Sequence, residues 1–151
     1  MSNISPPSTY AQWVSLLDML KQKTDDANVL AALKKGEISW QAGVAERFTK
    51  KLVETINSRM NAASDKFQKD MSRTNGQEGA IVQAVLSLRK EMSFLLNAID
   101  LPVIPEKDRA QYRALVQDQA NKMQASLENS AKADRSGKMS SIIRNHKVNA
   151  I

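Results

Sequence analysis

Cysteine is absent from this chain of 151 residues. Its absence excludes disulfides, thiolate metal sites and thiol nucleophiles, and it suits a reducing cytoplasm. Histidine occurs once, as His146, between basic neighbours in the sequence. A lone histidine with no carboxylate beside it to orient its ring provides neither a general base nor a set of metal ligands. The sequence therefore predicts no catalytic residue, no metal and no cofactor, and we expect a protein that is not an enzyme.

Long apolar runs are also missing. No stretch approaches the ~18 consecutive apolar residues that cross a bilayer. Residues 1–10 have neither the basic start nor the apolar run of a signal peptide. Motifs for phosphate loops, dinucleotide binding, calcium loops and nucleophile elbows are absent as well. We expect a cytoplasmic protein for which a membrane surface is not the partner.

Glycine and proline are scarce, at five and four residues, and no segment shows the apolar and polar alternation of a strand. Residues that favour helix, such as Ala, Leu, Lys, Gln and Met, are abundant. A chain of this length that is 42% hydrophobic can form one domain with a core. The predicted fold class is all-α: a four- to five-helix bundle with a long central helix, a heptad-patterned helix and a basic C-terminal tail.

Capping residues and apolar spacing predict where the helices lie. The expected helices span residues 10–21, 25–35, 39–73, 80–100 and 106–133, and a short basic amphipathic element spans 138–147. The expected N-caps of the first three are Ser8 or Thr9, then Thr24, then Ser39. The chain accordingly divides into an N-terminal lead (1–9), a helical bundle domain (10–133) and a basic amphipathic tail (134–151).

Four of the predicted helices carry an apolar stripe, and that of the first helix is Tyr10, Trp13, Val14, Leu17 and Leu20. The stripe of the long helix advances mostly in steps of four and so drifts around the helix: Trp40, Val44, Phe48, Leu52, Ile56, Met60, Ala63, Phe67 and Met71. The fourth helix alternates steps of four and three, as a coiled coil does: Ile81, Val85, Leu88, Met92, Leu95 and Ile99, broadened by Val82, Leu86 and Leu96. The fifth helix contributes Tyr112, Leu115, Val116, Met123 and Leu127. These stripes leave apolar surface that a second copy could cover, so a homodimer is one expectation.

The positive charge is concentrated at the C-terminus. The chain carries +6, and residues 129–151 hold five Lys or Arg against a single acid, Asp134. This tail has three interpretations: a disordered and inert extension, an amphipathic element that docks on a nucleic acid, an acidic partner or an anionic membrane, or a lid folded back over the bundle. The candidate binding residues are Lys132, Arg135, Lys138, Met139, Ile142, Ile143, Arg144 and Lys147.

A secondary basic face follows the long helix. Its members are Arg47, Lys50, Lys51, Arg59, Lys66, Lys69 and Arg73. Such a face could neutralise phosphates without reading a base sequence, although acids interrupt it and no aromatic residue is placed to stack on bases. Residues 29–48 also suggest a helix-turn-helix. The alternative is an ordinary pair of helices in which Ile38 and Trp40 fill the core.

These patterns favour a non-enzymatic helical binding protein. We expect a small accessory or regulatory factor that docks on a larger protein or a protein–DNA complex through its basic tail and bundle surface. One alternative is direct binding of DNA or RNA by the tail and the basic face of the long helix. Another is a structural subunit of a larger assembly. A protein partner is the first expectation and nucleic acid the second.

Overall fold

The computed structural model of the chain describes residues 4–38, 40–134 and 136–151, without the side chain of Ala42. Regular structure in these ranges is entirely helical, at 75% of the described residues, which confirms the all-α class. The helices are α1 (Tyr10–Lys21), α2 (Asp26–Lys34), α3 (Ala42–Ser72), α4 (Glu78–Ile99), α5 (Glu106–Ala133) and α6 (Lys138–Asn145). The described residues thus form six helices rather than four or five, because the short tail element is a helix in its own right. The bundle arrangement stays a prediction.

Local capping explains where α1 begins. Thr9 accepts a hydrogen bond from the Gln12 amide at 3.2 Å, and the Gln12 side chain accepts one from the Thr9 amide at 3.2 Å. This reciprocal pair is a capping box, which satisfies amides that the first helical turn leaves without partners. The expected cap of α2 was wrong, since Asp25 and not Thr24 occupies that position, with a left-handed backbone at φ 55°. Ser39, the expected cap of α3, lies outside the described residues.

The chain forms two compact units, each made of two segments. Unit 1 consists of Met1–Arg59 and Ala98–Ala110, and unit 2 consists of Met60–Asn97 and Gln111–Ile151. Each unit has its own buried apolar residues. The predicted division at residues 9 and 133 stays a prediction.

Unit 1 has an aromatic centre. The Trp13 ring is fully buried and lies edge-on against Trp40 and Phe48, with ring centroids 5.2 and 5.4 Å apart, an arrangement favoured by the charge distribution of aromatic rings. Trp13 Nε1 donates to the Glu37 carbonyl at 3.0 Å. A Cβ added to Gly36 would lie 2.4 Å from the Trp13 ring, so this position requires glycine. Ile38, expected in the core, is instead 40% exposed.

A buried arginine connects the helices of unit 1. Arg59, at 4% exposure, donates to the Leu20 carbonyl at 3.0 Å and to both carboxylate oxygens of Asp26 at 3.0 and 2.8 Å. Leu20 is near the end of α1 and Asp26 opens α2. One guanidinium therefore satisfies a helix C-terminal carbonyl and an acidic first turn at the same time.

Unit 2 has a core made mainly of aliphatic and small residues, in which Phe67 is also buried. The heptad seam of α4 is buried along its whole predicted length, from Ile81 at 3% exposure to Leu95 at 1% and on to Ile99 in unit 1. The buried line of α5 is Val116, Ala120, Met123, Leu127 and Ala131. Leu115 and Leu86, predicted to be in the stripes, are 43% and 39% exposed. Leu115 lies outside because successive helical residues are about 100° apart and the buried line passes through its neighbour Val116.

Candidate functional site

The tail of unit 2 begins with an acidic cap on α6. The Asp134 carboxylate accepts hydrogen bonds from the Met139 amide at 3.0 Å and from the Ser136 amide and hydroxyl at 3.1 and 2.8 Å. These bonds, that of Met139 most of all, hold the pKa of Asp134 below its usual value of 3.8. Gly137 has φ +73°, a conformation that glycine adopts without strain. The cap and the glycine together turn the chain from α5 into α6.

Residues beyond α6 are hydrogen-bonded to α5. The Val148 amide donates to Gln124 Oε1 at 2.9 Å in a buried position. Gln117 Nε2 donates to the Asn149 carbonyl at 3.2 Å, and the Asn149 side chain donates to Asn121 at 3.1 Å. Because polar groups from both segments are satisfied by each other, the tail packs on α5 rather than extending away from it.

The apolar residues of the tail are part of this packing. Ile142 and Ile143 are 6% and 5% exposed, Val148 is fully buried, and Met139 is half-buried. The segment after α6 is therefore packed against α5 in this structure. The side chains of Ile142 and Ile143, which were predicted to contact a partner, are buried in unit 2, and their part in binding stays a prediction.

A cleft lies between α5 and α6, and we call it the C-terminal cleft. Its volume is about 350 Å³. The residues that line it are Glu128, Ala131, Lys132, Ser140, Ile143, Arg144 and Lys147. Lys132 comes from the last turn of α5, Arg144 from the last turn of α6, and Lys147 from the segment after α6. The fold thus brings together three of the predicted binding residues from three separate elements.

The C-terminal cleft has more positive than negative side chains. Lys132, Arg144 and Lys147 are exposed, and none of them forms an ion pair or a side-chain hydrogen bond within the part of the chain that the structure describes. The carboxylate of the cleft, Glu128, accepts a hydrogen bond from Gln124 Nε2 at 3.2 Å. Three cations against one carboxylate make a positive potential that an anion from solution can neutralise.

Sequence reasoning missed Ser140 and Glu128 as residues of the cleft. Both could have been found from helical spacing, since Ser140 is four residues before Arg144 and Glu128 is four residues before Lys132. Residues at that spacing share a helix face. Lys138, also predicted, is exposed at the start of α6 but is not among the residues that line the cleft. Arg135 lies outside the described residues.

The predicted basic face of α3 is interrupted. Arg47, Lys50 and Lys51 are exposed in unit 1, and Lys66, Lys69 and Arg73 are exposed in unit 2. Arg59, also predicted for this face, is buried, and its guanidinium donates to Asp26 and to the Leu20 carbonyl. Its predicted part in binding stays a prediction.

Lys66 and Arg73 line a second cleft of about 350 Å³ within unit 2. The other residues around it are Asp70, Thr74, Ala80, Gln83, Ala84 and Ser87. Lys66 forms an ion pair with Asp70 at 2.7 Å, so one of the two cations is already neutralised. The C-terminal cleft consequently offers the larger uncompensated positive charge.

The described residues contain no group of three or more His, Asp or Glu side chains placed to hold a metal ion. None of the described helices combines the length and apolar character needed to span a bilayer. Comparison with protein-family models, with curated proteins and with solved structures found no match.

Proposed function

We propose that this protein is a non-enzymatic binding protein, an accessory or regulatory factor that docks on a larger protein or a protein–DNA complex through the C-terminal cleft. One observation carries the proposal: Lys132, Arg144 and Lys147 line a single cleft and have no anionic partner among the described residues. The contact is electrostatic, since the apolar tail residues are packed inside unit 2.

The chemistry of the cleft indicates an acidic surface on the partner. Exposed cations that are already paired would have to exchange one anion for another, whereas unpaired cations gain the full interaction. A chain of net charge +6 also attracts an acidic surface over a distance, which raises the rate of association. A homodimer and a structural subunit of an assembly stay predictions.

The proposal is tested by affinity purification from the native host. The full chain is compared with the triple variant Lys132→Glu, Arg144→Glu, Lys147→Glu. A matched variant, Lys21→Glu, Lys90→Glu, Lys107→Glu, makes the same change of charge at exposed positions that do not line the cleft. Circular dichroism checks that all three proteins fold.

We expect a defined partner to elute with the wild type and the matched variant and to be lost from the cleft variant. The purified partner should then bind wild type in titration calorimetry, with an affinity that falls as salt is added. A partner that the cleft variant retains would place the docking surface elsewhere, and the proposal would be wrong.

Direct binding of nucleic acid is the second candidate, and one observation favours it. Arg47, Lys50 and Lys51 are exposed in unit 1 at spacings of three and four residues, which places them on one side of α3. Each phosphate that a cation neutralises releases counterions, so affinity should fall steeply between ~50 and 200 mM salt. Fluorescence anisotropy with a labelled duplex and a single strand measures this. Absence of binding at ~50 mM salt would exclude the candidate.

A further inference from the structure

The C-terminal cleft collects more positive charge than one carboxylate can neutralise. Its three cations come with a single acid, Glu128, whose carboxylate already accepts a hydrogen bond from Gln124. The cleft also contains the hydroxyl of Ser140, which can donate to an anion. A compact ligand with several acceptor oxygens and more than one negative charge fits this set of groups best.

We propose that the C-terminal cleft is a binding site for a phosphate monoester carried by a protein partner, such as a phosphoserine side chain; the proposal rests on the docking function above. A phosphate monoester carries about 1.5 to 2 negative charges near neutral pH and has three strong acceptor oxygens. The Arg144 guanidinium can donate hydrogen bonds to two of these oxygens, since its planar fork matches phosphate geometry. The ammonium groups of Lys132 and Lys147 supply charge without fixed geometry.

The size and lining of the cleft argue against a nucleic acid strand as its ligand. Proteins that bind a single nucleic acid strand normally have a line of cations along its phosphate backbone and aromatic side chains that stack on its bases. The described residues around this cleft include no aromatic ring, and its volume is about 350 Å³. The apolar residues of the lining are Ala131 and Ile143, and the cations and Ser140 stand around them. This arrangement suits one compact anionic group.

Binding of phosphate should also hold α6 against α5. Lys132 belongs to α5, whereas Ser140 and Arg144 belong to α6, so an anion between them attracts both helices. An empty cleft leaves like charges facing each other across the same gap. Ligand binding and the packing of α6 are therefore thermodynamically linked, and each must strengthen the other. The buried amide of Val148, which donates to Gln124 of α5, reports this packing through its hydrogen exchange.

The test uses the full chain labelled with ¹⁵N and three probes at constant ionic strength. The probes are inorganic phosphate, a phosphoserine peptide and the same peptide with glutamate in place of phosphoserine. We expect saturable shifts of the Ser140 and Arg144 amide signals with the first two probes, and slower exchange of the Val148 amide. The double variant Lys132→Ala, Arg144→Ala should weaken phosphopeptide binding roughly tenfold. The matched double variant Lys90→Ala, Lys107→Ala should bind as the wild type does.

The outcomes separate this proposal from the docking function. Equal affinity for the glutamate peptide, or shifts that do not saturate with phosphate, would overturn the phosphate site while docking through the cations stands. Saturable phosphate binding together with a partner that the cleft charge-reversal variant still captures would overturn the docking function and leave the phosphate site. Unchanged exchange of the Val148 amide at saturating phosphopeptide would overturn the link to α6.

Discussion

Arg59 of unit 1 and Arg144 of unit 2 have opposite environments, although each is part of a basic region of the sequence. Arg59 is 4% exposed, and its guanidinium is used by Asp26 and the Leu20 carbonyl. Arg144 is exposed beside the C-terminal cleft and has no partner in the described part of the chain. In unit 1, Arg59 thus connects helices of the same unit. In unit 2, Arg144 is available to an external anion.

Removing each arginine side chain in turn tests whether the two contribute differently to the free energy of unfolding. Arg59→Ala should lower the free energy of unfolding by about 2 to 3 kcal/mol, because it leaves a carbonyl and a partly buried carboxylate without their donor. Arg144→Ala should change it by less than about 0.5 kcal/mol, as expected for an exposed side chain. Chemical denaturation followed by circular dichroism measures both values.

Arg59→Lys tests whether the geometry of the guanidinium, and not only its charge, stabilises unit 1. A single ammonium group cannot reproduce the fork that reaches both oxygens of Asp26 and the Leu20 carbonyl. We therefore expect a free energy of unfolding between that of the wild type and that of Arg59→Ala. Equal unfolding free energies for Arg59→Ala and Arg144→Ala would contradict the structural role given to Arg59.

Substitution of Gln124 measures how much its bond to Val148 stabilises the packing of the tail in unit 2. Gln124→Leu leaves the buried Val148 amide without an acceptor, at a cost of about 1 to 2 kcal/mol. Because α6 is a short terminal helix, the cost should appear as local opening rather than global unfolding. The Val148 amide should exchange with solvent roughly 5 to 30 times faster.

Gln117→Leu is the control for that variant. It removes a bond to the Asn149 carbonyl, which lies at a half-buried residue and can bind water instead. We expect a smaller effect on the exchange of the Val148 amide. If Gln117→Leu accelerated exchange as much as Gln124→Leu, the buried bond would not be what holds the tail.

The smallest expected effect concerns pH and Asp134. Hydrogen bonds from Met139 and Ser136 lower the pKa of its carboxyl below 3.8 in the folded chain. A group with a lowered pKa adds stability above its unfolded-state pKa, and this stability is lost as the pH falls through the folded-state pKa. The protection of the α6 amides, measured as their exchange rate relative to that of an unfolded amide at the same pH, should therefore fall as the pH is lowered below about 4.

Asp134→Asn is the matched variant, since it keeps the size of the side chain and removes the titration. It should weaken the α6 cap at neutral pH and abolish the acid-dependent part of the change. Acid-dependent loosening of α6 that persists in Asp134→Asn would assign the effect to another carboxyl.

Local signals were sufficient to predict several helix ends. The first helix begins after Thr9 because Thr9 and Gln12 satisfy each other's backbone amides. The fifth begins at Glu106, and its first turn contains the acids Glu106 and Asp108, which complement the positive end of the helix dipole. The seam of α4 was predictable for the same reason, since spacing alone fixes which side chains share a face. These interactions are between residues a few positions apart.

The candidate site was only partly predictable. The sequence identified Lys132, Arg144 and Lys147 as binding residues, but it did not show that they line one cleft. Their meeting depends on α6 turning back onto α5, an arrangement that the bond between Val148 and Gln124, 24 residues apart, helps to hold. The burial of Arg59 depends in the same way on Asp26, 33 residues before it. No local spacing encodes such distant pairs.

Propensity, capping and periodicity act over one or two helical turns, so the residues alone predict the all-helical class, the ends of α1 and α5 and the buried seam of α4. Which cations are available depends instead on the packing of segments that are distant in the chain. Arg59 and Arg144 have the same side chain, and whether each meets an internal carboxylate or open solvent depends on which distant segments pack beside it. Burial and pairing, rather than residue type, separate a structural arginine from one that can bind an anion.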